Sequence, residues 1–253
     1  MTPDKFAAQL HELGVEAGGV LLIHTAYRAI RPVEGGPLGL IRALRMCVGE
    51  RGTLVMPSWG GSDDAPFDAK ATEASTSLGV LPGLFWKQPG VLRSPHPHAF
   101  AAAGPAAQNV LRDPLPLPPH IQESPVGRVW EMDGQVLLLG VNHDADTTVH
   151  LAELLAGAPY RVPKYCTVVR NGQPVRVEYG ENDHCCERFL LVDDWLREAG
   201  HQAEGPVGHG VGRLNRSRHI VSAVRARLEA DPLLFLHPPS AGCEECDRAR
   251  ASV

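Results

Sequence analysis

The chain has 253 residues, of which 43% are hydrophobic and 21% charged, a composition typical of a folded globular protein rather than a disordered chain. A net charge of −5 leaves no basic surplus to neutralise phosphates, which argues against a nucleic-acid-binding protein. The longest apolar runs have the length of strands, so the sequence predicts no membrane span.

The N-terminal stretch MTPDKFAAQLHELG contains acidic residues and no long apolar run, so it does not resemble a signal peptide. Six cysteines without an export signal argue against a disulfide framework. We therefore expect a cytoplasmic protein with a single domain over residues 1–253.

The first 157 residues alternate between helical and strand patterns. Thr2, Pro3 and Gly14 delimit a helix over residues 3–13, with a cap at each end. The other segments are helices at 37–49, 78–88, 106–112 and 146–157 and apolar strands at 20–26, 53–59, 98–104 and 135–141. This alternation predicts an α/β fold with a central, largely parallel sheet flanked by helices, and a site beyond the carboxyl ends of its strands.

The pattern of the sequence changes after Gly157. Two alternating runs around Asn171-Gly172 predict a β-hairpin insertion. A helical C-terminal part follows, with helices at 186–200 and 218–230, the glycine-rich GPVGHGVGRL between them, a short strand at 233–238 and a cysteine-bearing tail. The proline-rich segment 113–125 is predicted to be an ordered surface loop.

Polar clusters follow three predicted strands: HTAYR (24–28), PSWGGSDD (57–64) and VNHDADTT (141–148). Loops at strand ends converge on a crevice in α/β proteins, which favours a site here, although each cluster alone also fits a hydrophilic turn.

His150 and Glu153 lie one turn apart on the predicted helix at 146–157. Glu153 can hold one ring nitrogen and leave the other to accept a proton, which is the arrangement of a general base. The alternative is a buried histidine with a local partner. The backbone N–H groups of Thr147 and Thr148 open this helix and could stabilise an oxyanion.

The cysteines leave two interpretations. Cys243 and Cys246 form a CxxC motif, and Cys185 and Cys186 are adjacent after His184. These four cysteines could hold a structural zinc ion, with Cys166 or His184 as further candidates, or they could be free thiols.

With these residues in view, the chain resembles the aminoglycoside 3-N-acetyltransferase family, most closely its apramycin-accepting subgroup. The resemblance runs nearly end to end. It is carried by VLLIHTAYRAIRPVEGGPLGLIRAL, GTLVMPSW, DDAPFD, VLRSPHPHAFAAAGP, SPVGRV, GQVLLLG, TTVHLAELL, ENDHCCERF, GPVGHG and FLHPP.

The resemblance implies the family's own α/β fold, distinct from the common small N-acetyltransferase fold, and acetyl transfer from acetyl-CoA to the 3-amino group of deoxystreptamine. It implies resistance to antibiotics that are its substrates, such as apramycin and gentamicin. We expect a monomer or a homodimer. His150 matches the general base, Glu153 its carboxylate partner, and Thr147 lies where the oxyanion forms. Asp63, Glu181 and Asp183 match positions that meet the cationic antibiotic. The positions that match the family's coenzyme A contacts are His24, Thr25, Ala26, Tyr27, Arg28, Arg93, Ser94 and His96.

Two other hypotheses remain at this stage. His143, Asp144, Asp146 and His150 are close in sequence and could serve a metal-dependent hydrolase. The fold could also belong to a non-catalytic small-molecule binder.

Overall fold

The computed structural model describes residues 1–112 and 115–253, and this part of the chain contains two β-sheets. The strands are β1 (Val20–Thr25), β2 (Thr53–Pro57), β3 (Leu92–Arg93), β4 (Phe100–Ala103), β5 (Gln135–Leu139), β6 (Val162–Arg170), β7 (Gln173–Glu181), β8 (Gln202–Val207) and β9 (Gly210–Arg216). The α-helices are α1 (Pro3–Leu13), α2 (Tyr27–Ile30), α3 (Gly36–Val48), α4 (Val80–Phe85), α5 (Ala107–Val110), α6 (Pro125–Glu131), α7 (Thr147–Ala156), α8 (Leu191–Glu198), α9 (Ser217–Leu228) and α10 (Glu244–Ala251). Short 3-10 helices occur at Thr76–Leu78, His143–Ala145, Glu187–Leu190 and Pro239–Ala241.

The larger sheet has the strand order β3-β4-β2-β1-β5-β9-β8. At its centre β1 is parallel to β2 and to β5, whereas the outer pairings are antiparallel. The predicted α/β fold with a central sheet flanked by helices is therefore confirmed. The sheet was predicted to be largely parallel; it is parallel where β1 meets β2 and β5, and its antiparallel margins are a feature that the alternation did not reveal. One cause is the two-residue turn Gly208-His209, since so short a connection can join only antiparallel strands.

Helices cover both faces of this sheet because side chains alternate along each strand. Leu21 and Ile23 of β1 pack with Phe6 of α1 and Leu44 of α3. Leu22, between them, packs on the opposite face with residues of α7 and α9. The continuous apolar runs of the central strands thus reflect the burial of these strands on both faces of the sheet.

The loops that carry polar side chains meet at one edge of the sheet. The register pairs Thr25 with Leu139 and Pro57 with Phe100. The carboxyl ends of β1, β2 and β5 therefore lie beside the amino end of β4. This arrangement brings the three polar clusters of the sequence to a common edge.

The hairpin predicted around Asn171-Gly172 is confirmed as β6 and β7, which form the separate two-stranded sheet. Asn171 and Gly172 have φ angles of 51° and 76°, as a tight type I′ turn requires. Tyr165 of β6 donates its hydroxyl to the Asp64 carboxylate at 2.7 Å. This bond attaches the hairpin to the loop after β2.

One prediction for the C-terminal part needs correction, and two strands were missed there. The strand predicted at 233–238 is wrong: this segment turns, with Leu236 N donating to Leu233 O. Its apolar character reflects the burial of Phe235, whose ring lies 4.7 Å from that of Phe189. The glycine-rich GPVGHGVGRL, for which no element was predicted, contributes to β8 and β9.

The proline-rich segment 113–125 is irregular from residue 115 to Ser124, where α6 is capped. Asp113 and Pro114 lie outside the described residues. No helix in the described part of the chain is long and apolar enough to cross a bilayer.

We predict that Gly140→Ala destabilises the fold more than Gly157→Ala, although both glycines have φ of 72°. Each alanine incurs the left-handed backbone cost of about 1 kcal/mol. At Gly140 a Cβ would also lie 2.8 Å from Ala29 Cβ and 3.1 Å from Ala26 O, whereas nothing lies within 4 Å at Gly157. Urea unfolding of both variants measures the difference, and equal losses would contradict the steric argument.

Candidate active site

A cavity of about 550 Å³ opens at the edge where the central strands end, within the roughly 300–1,000 Å³ usual for small-molecule sites. His24, Thr25 and Ala26 at the end of β1 line it, together with Thr147 and His150 of α7. Residues of β6, β7 and the loop after β2 also contribute to the wall.

His150 is oriented by Glu153, one turn further along α7. Its Nδ1 lies 3.0 Å from Glu153 Oε2. An ionised carboxylate only accepts hydrogen bonds, so Nδ1 donates and the lone pair of the neutral ring is on Nε2. The predicted His150–Glu153 pair is therefore present, with His150 in the cavity wall and Glu153 buried behind it.

Glu153 is completely buried and is surrounded by donors. Its Oε1 accepts from the Tyr160 hydroxyl and, at 2.9 Å, from His184 Nε2. Burial opposes ionisation, but the hydrogen bonds from His150 and then His184 outweigh it and lower the pKa of Glu153 to about 2. A buried carboxylate with this many donors is a fixed anion beneath the imidazole.

The sequence suggested that the other nitrogen of His150, Nε2, is free. In the structure it has a neighbour. Cys186 Sγ lies 3.5 Å from Nε2, and the His120 ring stacks on the His150 ring with centroids 5.3 Å apart. Burial opposes a charge on His150, but Cys186 and then Glu153 raise its pKa well above the usual value. An amine entering the cavity has to compete with the Cys186 thiol for Nε2.

The predicted oxyanion site at the first turn of α7 needs correction in part, because one of its two backbone donors is already bonded. Asp146 caps the helix, and its Oδ1 accepts from Thr148 N at 2.8 Å, so the Thr148 N–H is occupied. Thr147 lines the cavity, and its hydroxyl lies 3.2 Å from His24 Nε2. Burial lowers the pKa of His24 to about 4, which keeps that ring neutral at physiological pH.

The three carboxylates predicted to meet the substrate, Asp63, Glu181 and Asp183, all line the cavity, and Asp144 and Asp146 line it as well. Asp183 forms a 2.8 Å ion pair with Lys164 of β6. Burial raises the pKa of Glu181. The hairpin and the loop after β2 thus supply an acidic side to the cavity.

The residues predicted to hold coenzyme A divide into two groups. His24, Thr25 and Ala26 line the cavity, but Tyr27, Arg28, Arg93, Ser94 and His96 are not part of its wall. The Arg93 guanidinium donates to the carbonyls of Ser58 and Thr72. Its charge therefore braces the loop after β2.

Ser94 and His96 are almost completely buried and serve the same chain segment. Ser94 Oγ accepts from Phe100 N at 3.1 Å. His96 Nδ1 accepts from His98 N at 2.9 Å, and its Nε2 lies 3.0 Å from Pro116 O. In this structure the RSPHP motif shapes the start of β4, and its contact with a coenzyme stays a prediction.

The predicted four-cysteine zinc set is not brought together. Cys185, Cys243 and Cys246 converge, but Cys186 Sγ points to His150 instead. The fourth member of the cluster is His237, which sequence reasoning missed. Cys166 is buried in β6, and His184 is committed to Glu153.

Of the residues proposed for a hydrolase, Asp144, Asp146 and His150 line the cavity, but His143 does not. His143 is completely buried, with Nδ1 3.0 Å from Asp146 Oδ2 and Nε2 3.1 Å from Gln202 Oε1. Both ring nitrogens are engaged, so His143 cannot join His150 in binding a common ion.

Several cavity residues had no signal in the sequence pattern. His98 and Tyr179 line the cavity and meet at 3.1 Å through Nε2 and the hydroxyl oxygen. His120 lies in the proline-rich segment, which we predicted to be a surface loop. A long ordered loop without regular structure is itself a weak indication of function, and it was the one available clue to His120.

Comparisons with known proteins agree with this geometry. The family model described as aminoglycoside 3-N-acetyltransferase matches residues 22–229. Aminoglycoside N(3)-acetyltransferase IV of Salmonella sp is 60% identical over 245 residues, which are 97% of this chain and 94% of that protein.

Solved structures show the same fold. A histidine-to-alanine mutant of aminoglycoside acetyltransferase AAC(3)-IVa in complex with gentamicin has a TM-score of 0.98 and 59% identity, covering 100% of this chain and 97% of that one. The corresponding complex with apramycin has a TM-score of 0.92 and 56% identity, covering 97% and 98%. AAC-IIIb with CoASH has a TM-score of 0.83 and 26% identity, covering 91% and 97%.

The family model and the 60% identical relative each span most of the chain, and the solved relatives share its whole fold. The chain belongs to the aminoglycoside 3-N-acetyltransferase family and is an acyltransferase.

Proposed function

We propose that this enzyme transfers the acetyl group of acetyl-CoA directly to the 3-amino group of the deoxystreptamine ring of aminoglycosides, with His150 as the general base. The observation that carries the proposal is His150, held by Glu153, in the wall of a cavity that Asp63, Glu181 and Asp183 also line. The relatives in complex with gentamicin, apramycin and CoASH support these substrate classes.

The base is needed because an aminoglycoside amine is mostly protonated at neutral pH and cannot attack a thioester in that form. In this mechanism Nε2 of neutral His150 takes a proton from the amine as nitrogen bonds to the acetyl carbon. Glu153 then stabilises the imidazolium through Nδ1. Collapse of the tetrahedral intermediate breaks the C–S bond, and the imidazolium gives its proton to the departing sulfur, so coenzyme A leaves as a thiol and His150 is neutral again.

Thr147 is our candidate for stabilising the oxyanion. Asp146 Oδ1 lies 3.8 Å from His24 Nε2 and favours the neutral tautomer with its proton on that nitrogen. Nε2–H then donates to Thr147 Oγ1, and the Thr147 hydroxyl proton is available to the cavity. A donor already oriented toward developing charge needs no reorganisation during the reaction.

The acidic side of the cavity suits a polycationic substrate. Asp63, Glu181 and Asp183 can each meet an ammonium group, and a bound aminoglycoside can compete with Lys164 for Asp183. Such pairing strengthens binding and accelerates encounter, and both effects weaken with salt.

The position of Cys186 suggests a second mechanism, in which its thiol accepts the acetyl group before the amine does. The 3.5 Å contact between Cys186 Sγ and His150 Nε2 is the observation in its favour. Against it, Cys186 is absent from the cavity wall that His150 lines. Direct transfer therefore fits the cavity better.

Incubation with acetyl-CoA and a panel including apramycin and gentamicin tests the proposed reaction. Free thiol should be released only when an aminoglycoside is present, and NMR should locate the new acetyl group on the 3-amino nitrogen. Intact-protein mass spectrometry with acetyl-CoA alone should show no acetyl adduct. An adduct that is absent from Cys186→Ser would replace direct transfer by the two-step mechanism.

We predict that His150→Ala lowers kcat on the order of a hundredfold or more, as expected for a lost general base. The binding of coenzyme A and aminoglycoside should change much less, because the charged wall is retained. Steady-state kinetics with calorimetric binding measurements separate the two effects. Near-normal turnover in this variant would remove His150 from the mechanism.

The raised pKa of His150 predicts a pH dependence. The base acts when neutral, so kcat/KM should fall as pH drops through a pKa above the usual 6.5. Glu153→Gln removes the anion that favours the imidazolium, so the acidic limb should move to lower pH. A pH–rate profile of both proteins measures the shift, and an unmoved limb would argue that Glu153 does not act through His150.

Adjacent aspartates provide a matched test of the acidic wall. Asp63 lines the cavity, whereas the Asp64 carboxylate is bound by Tyr165. Asp63→Asn should raise KM for apramycin about fivefold, which corresponds to about 1 kcal/mol for one ion pair, and the effect should shrink at high salt. Asp64→Asn should leave KM nearly unchanged, because the amide oxygen can still accept from the Tyr165 hydroxyl and keep the hairpin attached, and equal effects would contradict the assignment of Asp63.

A further inference from the structure

Four metal-ligand side chains converge beside the C-terminal helix α10. Cys185, His237, Cys243 and Cys246 each offer one ligand atom, and these atoms all lie within 4.8 Å of one another. We propose that this cluster binds a single structural Zn²⁺ ion in tetrahedral geometry. Three thiolates with one imidazole are a donor set that zinc favours in closed structural sites.

The separations among the ligand atoms match that geometry. Cys185 Sγ lies 3.3 Å from His237 Nδ1 and 3.6 Å from Cys246 Sγ, and Cys246 Sγ lies 3.6 Å from His237 Nδ1. Zinc bonds of about 2.3 Å to sulfur and about 2.0 Å to nitrogen require tetrahedral edges of about 3.8 Å between sulfurs and about 3.5 Å between sulfur and nitrogen. The three edges among Cys185, His237 and Cys246 are therefore the right length for one face of a tetrahedral site, and Cys243 lies within 4.8 Å of all three as the fourth corner.

A disulfide does not account for the cluster. The separation of 3.6 Å between Cys185 and Cys246 exceeds the sulfur–sulfur bond length of about 2.05 Å. A disulfide would also use two of the three thiols and leave the third beside an imidazole. One tetrahedral ion uses all four donors.

His237 has the second contact expected of a zinc ligand. Its Nδ1 faces the sulfurs, while Nε2 lies 3.5 Å from Glu187 Oε2. A carboxylate on the outer nitrogen fixes the tautomer and raises the basicity of the coordinating nitrogen. Glu187 lies two residues after Cys185, so one chain segment supplies both a ligand and this support.

The C-terminal segment needs such an attachment. Helix α10 has eight residues and buries only Cys246 and Ala249, in a small core with Ala158, Tyr160 and Leu236. An isolated helix of this length is marginal in water. A zinc ion would link the helix to Cys185 and His237 in place of a larger apolar contact.

The ion would also fix residues 184–186, which contact His150 and Glu153. This part of the inference rests on the proposed role of His150. Cys185 lies between His184, which donates to Glu153, and Cys186, which contacts His150. Loss of zinc would loosen both contacts. Because metal content is measured independently of turnover, failure of the metal proposal and failure of the proposed catalytic role are distinguishable.

Elemental analysis of untagged protein, purified without metal-affinity resin or chelator, tests the proposal. The expected result is one zinc per chain in the wild type and less than about a tenth of that in Cys243→Ser and His237→Ala, since structural zinc sites require all four ligands. Cys186→Ser and Cys166→Ser are the matched controls and should retain zinc.

Wild-type protein decides the question even if the ligand variants fail to fold. A strong chelator should release one zinc per chain, expose three additional thiols to a colorimetric thiol reagent and lower Tm. Substitution by Co²⁺ should give the intense visible absorption of a tetrahedral thiolate site.

Three results would overturn the proposal: wild-type protein that contains no zinc, wild-type protein that contains iron instead of zinc, and a native disulfide within the cluster. Loss of zinc in Cys186→Ser with retention in His237→Ala would overturn this ligand set.

Discussion

The site depends on one buried anion. Glu153 has no contact with solvent, so its charge is tolerable only because hydrogen-bond donors surround it. These donors are His150 one turn earlier on α7, Tyr160 just beyond the helix, and His184 from the segment after the hairpin. Satisfying one carboxylate thereby fixes the orientation of the imidazole and draws together three separate stretches of chain.

The sheet decides what surrounds that imidazole. Parallel β1 and β5 end at the same edge, so His24 and the first turn of α7 become neighbours although they are far apart in sequence. The hairpin, attached through Asp64 to the loop after β2, brings Glu181 and Asp183 to the same cavity. The hairpin and the loop after β2 thus give one side of the cavity a group of carboxylates, which suits a polyamine.

The adjacent cysteines illustrate how backbone geometry separates functions. Cys186 has a φ of 58°, in the left-handed region that residues other than glycine rarely adopt. Cys185 faces the C-terminal cluster, whereas Cys186 faces His150. Two identical residues in sequence thus connect the catalytic helix to the tail through opposite faces of one short segment.

The sequence by itself determined the features that depend on local pattern. Capping residues delimited α1, apolar runs located the central strands, Asn171-Gly172 specified the hairpin, and spacing along α7 paired His150 with Glu153. Those features follow from interactions over a few residues, which the one-dimensional order contains. The partners of the site were decided by tertiary structure alone: His120 over the base, Cys186 against Nε2, and His237 in place of Cys186 in the cysteine cluster. These contacts join residues 30 to 60 positions apart, and only the packing of the sheet, helices and loops determines which side chains meet across such distances.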